Sequence, residues 1–309
     1  MKNGIGRRWG AALLLSVFLF LFGSSIFPMQ QERSGLAAEG RSVRSPYYIP
    51  NTTYGSITQM PEKVEIMAHR GDSEKAPENT LRAFSKAIEE NIDWIELDVQ
   101  QSSDGVLMVF HDDSLKRAVG VDGNIWDYPC AQLQTMPIGS RLNEDFDESR
   151  IPTFEQALAL CKGKIKLNIE IKENDYNRKF PIVEKVIQMI EKYDYLDDCI
   201  VTAYTMKMME SIKKANPEVK TAILCDREMD IPYDSPYVDG FSVYTKFISP
   251  EVVKEVKKRG KSIYVWTIDT DETLGKVLEA GADHILTNRP ALIRKLVNGR
   301  QVLAGISKS

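Results

Sequence analysis

Four short stretches of this chain place ionisable side chains in or at the end of apolar runs. Ile66-Met67-Ala68 leads into His69-Arg70-Gly71, and Val109-Phe110 leads into His111-Asp112. Ile95-Glu96-Leu97-Asp98 sets two carboxylates two residues apart, and Asn168-Ile169-Glu170-Ile171-Lys172 repeats that alternation with an amide, a carboxylate and an ammonium. In an extended strand, residues two apart share a face, so each set points one way. Burying such charges is costly unless they are paired or bind a metal. The chain has only 3 histidines, and two of them end such runs. Imidazole titrates nearest neutral pH, which suits the pair to acid–base work. Any one of these residues alone would read as structural. Their recurrence at corresponding strand ends reads as a site.

The elements that must hold them alternate strand and helix. Apolar runs at 64–68, 94–99, 106–110, 166–171, 199–203, 221–224, 240–243, 262–268 and 284–286 read as strands covered on both faces. Between them, Asn79 and Thr80 are cap candidates for a helix with Leu81, Phe84 and Ile88 inward. Residues 180–193 place Val183, Val186, Ile187 and Ile190 on one face. Ser249-Pro250-Glu251 starts a helix that Gly260 ends, and Thr270 opens another that stops at Gly281. This order predicts a (β/α)8 TIM barrel. Nine strands for eight places make one an edge or inserted piece, and the link from Val99 to Val106 is too short for a crossover helix. Residues 112–150, poor in periodic apolar positions, read as an insertion after the strand bearing His111. The alternative is an open doubly wound sheet, weakened because no GxGxxG or GxxxxGK[ST] follows any strand.

Outside the barrel, Lys2, Arg7 and Arg8 precede an apolar run, 11–27, of 17 residues. Residues 1–29 read as a signal peptide or signal anchor, and the basic head directs the C-terminal domain outward. Residues 30–62 read as an extended linker, 63–299 as the catalytic domain and 300–309 as a tail. The expected location is secreted, or anchored on the outer face of the cytoplasmic membrane through 11–27. With 40 basic against 44 acidic residues the net charge is −4, which excludes a nucleic-acid partner held by phosphate neutralisation. Cys130, Cys161, Cys199 and Cys225 form no CxxC pair, so no zinc ribbon or thioredoxin-like site is expected, and each is read as a buried thiol.

Over residues 63–295 the sequence resembles the glycerophosphodiester phosphodiesterase family. The resemblance is carried by His69-Arg70-Gly71, Ala76-Pro77-Glu78-Asn79-Thr80, Glu96-Leu97-Asp98-Val99, Asp104-Gly105 leading to His111-Asp112, Ile151-Pro152-Thr153, Glu170-Ile171-Lys172 and Val265-Trp266-Thr267. It implies a (β/α)8 barrel and a divalent cation held by carboxylates. Glu96, Asp98 and Glu170 form an all-oxygen set suited to a hard cation, Ca2+ or Mg2+. Arg70 and Lys172 are expected to offset phosphate charge, and His69 and His111 to act as general acid and base in an order left open. Trp266 resembles the family's pocket tryptophan, with barrel packing as the competing role. Glu78 reads either as an orienter of Arg70 or the metal ligands, or as a helix-start carboxylate, and Asn79 as a cap. His284, which starts a strand, is read as structural. Asn288 stands where the family more often has Asp, and no loss of function is attached to it.

The expected reaction is metal-dependent hydrolysis of glycerophosphodiesters to glycerol 3-phosphate and an alcohol. The same fold acting on lysophospholipids or on glycerophosphate envelope polymers is the alternative. A non-catalytic binding module is the reading from a different class, disfavoured because every catalytic residue type is present.

Overall fold

The computed structural model describes residues 60–139, 148–179, 181–226 and 231–303. The expected signal or anchor segment, with its run at 11–27, lies outside the described residues, as does the linker up to residue 59. Among the described residues no helix is long and apolar enough to cross a membrane.

All nine expected strands form: β1 (Glu65–His69), β2 (Trp94–Gln101), β3 (Leu107–Val109), β4 (Lys166–Ile171), β5 (Cys199–Ala203), β6 (Lys220–Cys225), β7 (Gly240–Tyr244), β8 (Ser262–Trp266) and β9 (His284–Thr287). Eight run parallel in the order β1-β9-β8-β7-β6-β5-β4-β2, and β1 pairs with β2 to close the ring. The chain is therefore a closed (β/α)8 barrel, and the open-sheet alternative falls. The supernumerary strand is β3, which folds back antiparallel on β2 with Val99 opposite Val109. A short link permits a hairpin and forbids a crossover, which is why the second βα unit is irregular.

The helices are α1 (Leu81–Glu89), α2 (Cys130–Leu133), α3 (Phe154–Cys161), α4 (Asp175–Lys179), α5 (Val183–Lys192), α6 (Met206–Ala215), α7 (Pro250–Lys258), α8 (Asp271–Glu279) and α9 (Pro290–Leu303). Thr80, Thr153, Thr205, Ser249 and Thr270 each accept a hydrogen bond from a first-turn backbone N–H, satisfying donors the helix cannot. In α5 the buried face is Val183, Val186, Ile187 and Ile190, as the periodicity predicts, although the helix starts after Pro181 rather than at 180. The last helix continues to Leu303, through the first residues of the expected tail.

Alternation along each strand divides the core in two. Outward residues such as Ile66, Ile95, Leu97, Leu167, Val201, Phe241 and Ile285 pack under the helices. Inward residues Met67, Trp94, Ile200, Ala222, Tyr264 and Leu286 fill the barrel's middle. The insertion has a core of its own, with Phe110, Leu115, Ile125, Leu133, Ile138 and Ile151 buried together. All four cysteines are free thiols; Cys161, Cys199 and Cys225 are buried as expected, whereas Cys130 is partly exposed.

Candidate active site

At the C-terminal ends of the strands the inward face changes from apolar to charged. Parallel register sets His69 of β1 beside Glu96 of β2, and Asp98 of β2 beside Glu170 of β4. Glu96, Asp98 and Glu170 each offer an oxygen, all within 4.8 Å of one another. Asp98 is fully buried; its Oδ2 accepts from Asn79 Nδ2 at 2.7 Å, while Oδ1 has no hydrogen bond. A bare carboxylate oxygen inside a trio of acids, with only an ammonium 3.4 Å away, fits the donor set of a hard cation.

The electrostatics point the same way. Burial, then Asp98 and Glu170, push the Glu96 carboxyl well above its ordinary value. Burial raises Glu170 too, against the pull of Lys172. For Asp98 burial is outweighed by Lys172, His111 and Arg70, which hold it ionised. Three acids this close resist sharing three negative charges, and a divalent cation would remove that conflict.

The two cations sit against the acids. Lys172 Nζ donates to Glu170 Oε1 at 2.7 Å. Arg70 donates from Nη1 to Glu78 at 2.8 Å and places Nε 3.6 Å from Asp98. Glu78 thus orients Arg70, one of its two expected readings. Arg70 adopts a left-handed φ of 59° and Gly71 follows at 82°. That turn aims the Arg70 backbone N–H at Glu96 Oε2, 2.9 Å away. Gly71 is required twice over, since a Cβ there would lie 2.7 Å from Ala83 Cβ of α1.

The imidazoles are held differently. His69 Nδ1 lies 2.7 Å from Asn288 Oδ1, and Nε2 lies 3.9 Å from Glu96. Asn288 is fixed in turn by Asp269, which accepts from its Nδ2 at 2.7 Å and from its backbone N–H at 2.8 Å. With Nδ2 committed to a carboxylate, the Asn288 oxygen must face the ring, so His69 carries its proton on Nδ1. Burial, with Arg70 alongside, lowers His69 to about 4. His111, by contrast, sets Nδ1 2.7 Å from a carboxylate oxygen of Asp112. Gln100 Nε2 buttresses this loop by donating to the carbonyls of Phe110, His111 and Asp112.

Trp266 ends β8 with its ring 5.3 Å from that of Tyr244 and its body against the barrel's inner core. Its indole N–H is buried without a partner.

Two expectations need correction. Thr80, not Asn79, caps α1; Asn79 has a left-handed φ of 57° and turns its amide onto Asp98. Asn288 is not incidental, because it is the partner of His69. Alternation along β9, continued past its end, would have set Asn288 inward next to β1. Alternation along β2 likewise sets Gln100 on the face of Glu96 and Asp98, whereas Asp269 and Arg117 had no comparable signal.

A closed barrel with acids, imidazoles and cations converging at its C-terminal mouth defines a barrel enzyme built around an anionic group. Residues 69–292 match the model of the glycerophosphoryl diester phosphodiesterase family. A glycerophosphodiester phosphodiesterase of Caldanaerobacter subterraneus is 33% identical over 240 residues, covering 76% of this chain and 98% of that one. One from Bacillus altitudinis is 30% identical over 73% of this chain and 95% of its own. Among solved structures, a Thermotoga maritima glycerophosphodiester phosphodiesterase superposes with a TM-score of 0.59 at 28% identity, covering 75% and 98%. An Oleispira antarctica phosphodiesterase shares the fold with a TM-score of 0.71 at 24% identity over 76% and 97%. The chain belongs to the glycerophosphoryl diester phosphodiesterase family and is a phosphoric diester hydrolase.

Proposed function

We propose that this chain hydrolyses small glycerophosphodiesters to glycerol 3-phosphate and an alcohol, with Ca2+ or Mg2+ held by Glu96, Asp98 and Glu170. The observation that carries the reading is the buried carboxylate trio with two imidazoles and two cations around it. A cation held by Glu96, Asp98 and Glu170 would supply Lewis-acid polarisation of a phosphoryl oxygen. Arg70 and Lys172 neutralise the remaining phosphoryl charge, Arg70 through a guanidinium that Glu78 already holds.

His69 is the base: its proton sits on Nδ1, which leaves the Nε2 lone pair on the carboxylate side to take the nucleophile's proton. His111 is the acid: with Nδ1 held 2.7 Å from the Asp112 carboxylate, its Nε2 is left free to give a proton to the leaving alcohol. Trp266 and Tyr244 form an aromatic edge for the alcohol portion. Among the described residues the exposed large apolar side chains are Val106, Tyr244 and Val302, with no broad apolar collar for an acyl chain. This favours small head groups over lysophospholipids.

Export by residues 1–29 would place the enzyme outside the cytoplasmic membrane, which fractionation of cells expressing the full chain tests. The reaction is tested by glycerol 3-phosphate release from glycerophosphocholine with Ca2+, with Mg2+ and with chelator. Release must need a cation and vanish in Glu96→Ala; turnover undiminished by chelator would reject the metal, and no release with either cation would reject the substrate.

A further inference from the structure

Arg117 lies in the insertion, remote in sequence from the barrel strands that carry the carboxylates, with a side chain 53% exposed. Its guanidinium nevertheless makes four hydrogen bonds to two carboxylates at the barrel mouth. Nε and Nη2 donate to Asp112 at 2.6 and 3.0 Å, and Nη1 and Nη2 donate to Glu78 at 3.0 and 2.7 Å. Each carboxylate then touches a residue of the site: Glu78 accepts from Arg70 Nη1, and Asp112 Oδ1 meets His111 Nδ1. A planar fork is suited to holding two carboxylates at a fixed mutual angle, which an ammonium cannot do.

The two branches are not equally dependent on it. Arg70 has a second anchor that does not involve Arg117, since its Nε lies 3.6 Å from Asp98 besides the bond from Nη1 to Glu78. Among the described residues, the Asp112 side chain is held by Arg117 and otherwise meets only the ring it orients. Gln100 secures the backbone carbonyls of this loop but not that carboxylate.

We propose that Arg117 is a positioning residue that, through Asp112, holds the His111 ring in line to protonate the leaving alcohol. The inference rests on the acid role assigned to His111. In that step the nucleophile's oxygen bonds to phosphorus, its proton passing to His69, as the P–O bond to the alcohol breaks with its electron pair going to the alcohol oxygen. The His111 Nε2 proton passes to that oxygen, and through water the proton gained by His69 is released as the neutral His111 ring regains one. Without Arg117, Asp112 and the ring turn together, and the donor leaves its line while phosphate binding persists.

The test compares glycerophosphocholine, whose alcohol needs a proton, with the 4-nitrophenyl diester of glycerol 3-phosphate, whose nitrophenolate leaves without one. Arg117→Ala is expected to lower kcat on glycerophosphocholine about 10- to 100-fold, the scale of a misplaced catalytic group. KM and turnover of the nitrophenyl diester should each change less than about threefold. Arg117→Lys, which keeps the charge but not the fork, should recover part of the loss. Equal losses on both substrates, a loss carried by KM, or no loss would overturn the proposal. His111→Ala is run alongside: if it fails to discriminate between the substrates, the acid assignment itself is wrong. If it discriminates and Arg117→Ala does not, only the role of Arg117 falls. Should Arg117→Ala lose its melting transition, Arg117→Lys must show the same discrimination between substrates.

Discussion

Strands β1, β4 and β9 carry polar side chains on their inward face toward both ends of the barrel, and the two ends resolve them in opposite ways. At the N-terminal end Glu65 accepts from Trp94 Nε1 at 2.6 Å, faces His284 Nε2 at 3.5 Å and pairs with Lys63, with Lys166 at 4.0 Å. His284 turns its other nitrogen to Asp283, 2.9 Å away, which is also held by Lys257. Hydrogen bonding to His284 is the largest influence on Glu65 and lowers it, with Lys63 and Trp94 adding to the effect against burial. For His284, burial is outweighed by Asp283 and Glu65, so the ring is raised. At the C-terminal end the acids face one another, and Glu96 is driven upward. Histidine with glutamate at a strand end therefore marks no function by itself. What separates the working end from the closing end is charge left unreconciled by the chain's own groups.

The contrast is sharpest if each end is cut separately. Asp98→Ala is expected to reduce glycerol 3-phosphate release by about 10³-fold or more, the scale of several kcal/mol of lost transition-state stabilisation. In chelator the melting temperature of Glu96→Gln should hold or rise, because the upward push on Glu96 marks repulsion that an amide relieves; a clear fall would mean that the trio stabilises the fold. Next, Ca2+ or Mg2+ at about 100 times its dissociation constant should stabilise the wild type by ~2.7 kcal/mol, read as a melting shift that Asp98→Ala lacks. Asn288→Ala, which frees the His69 ring, should lower kcat about 10- to 100-fold without moving that shift.

At the other end, Glu65→Ala should leave kcat within about twofold and cost ~1–2 kcal/mol, since it strands the Trp94 N–H and the His284 ring. For a domain of this size that is a fall of several degrees in melting temperature, at about 2–4 °C per kcal/mol. Equal activity losses from Glu65→Ala and Asp98→Ala would erase the distinction between the ends. The smallest effect concerns pH. The lowered Glu65 contributes stability above its unfolded value near 4.5 and loses it as pH falls, whereas the raised His284 contributes below 6.5 and loses it as pH rises through its folded value. The melting difference between wild type and His284→Gln should accordingly be greater at about pH 5.5 than at about pH 8.5; the reverse order would contradict the pairing.

Much of this was legible in the sequence because a parallel strand buried on both faces writes itself as an apolar run with charge at its end. The residues 69, 96, 98, 111 and 170 could be read that way, and alternation alone put Glu96 and Asp98 on one side. Asn79 misled because it and Thr80 both read as caps, and nothing local reveals that Thr80 alone takes that place while Asn79 turns onto Asp98. The partner of His69 was harder to find: alternation along β9 turns Asn288 inward, but it lies 219 residues from His69 and only barrel closure makes them neighbours. Arg117 was hidden by its surroundings, a stretch of turns without a period to say which side chains converge.

The closing pair of strands has a consequence for how the molecule becomes competent. Glu96, Asp98 and His111 all belong to the hairpin of β2 and β3 and its exit, and Glu170 lies on the next strand of the ring. That part of the site is assembled by pairings of modest loop length. The contact between His69 and Asn288 waits for β9 to meet β1, the longest loop closure in the barrel and the entropically most demanding. A chain interrupted before that last pairing would already hold its three acids together yet have a base with no fixed tautomer. If the acids bind a cation as proposed, its capture would need only the neighbouring pairings of β2 and β4, whereas fixing the His69 ring needs β9 on β1.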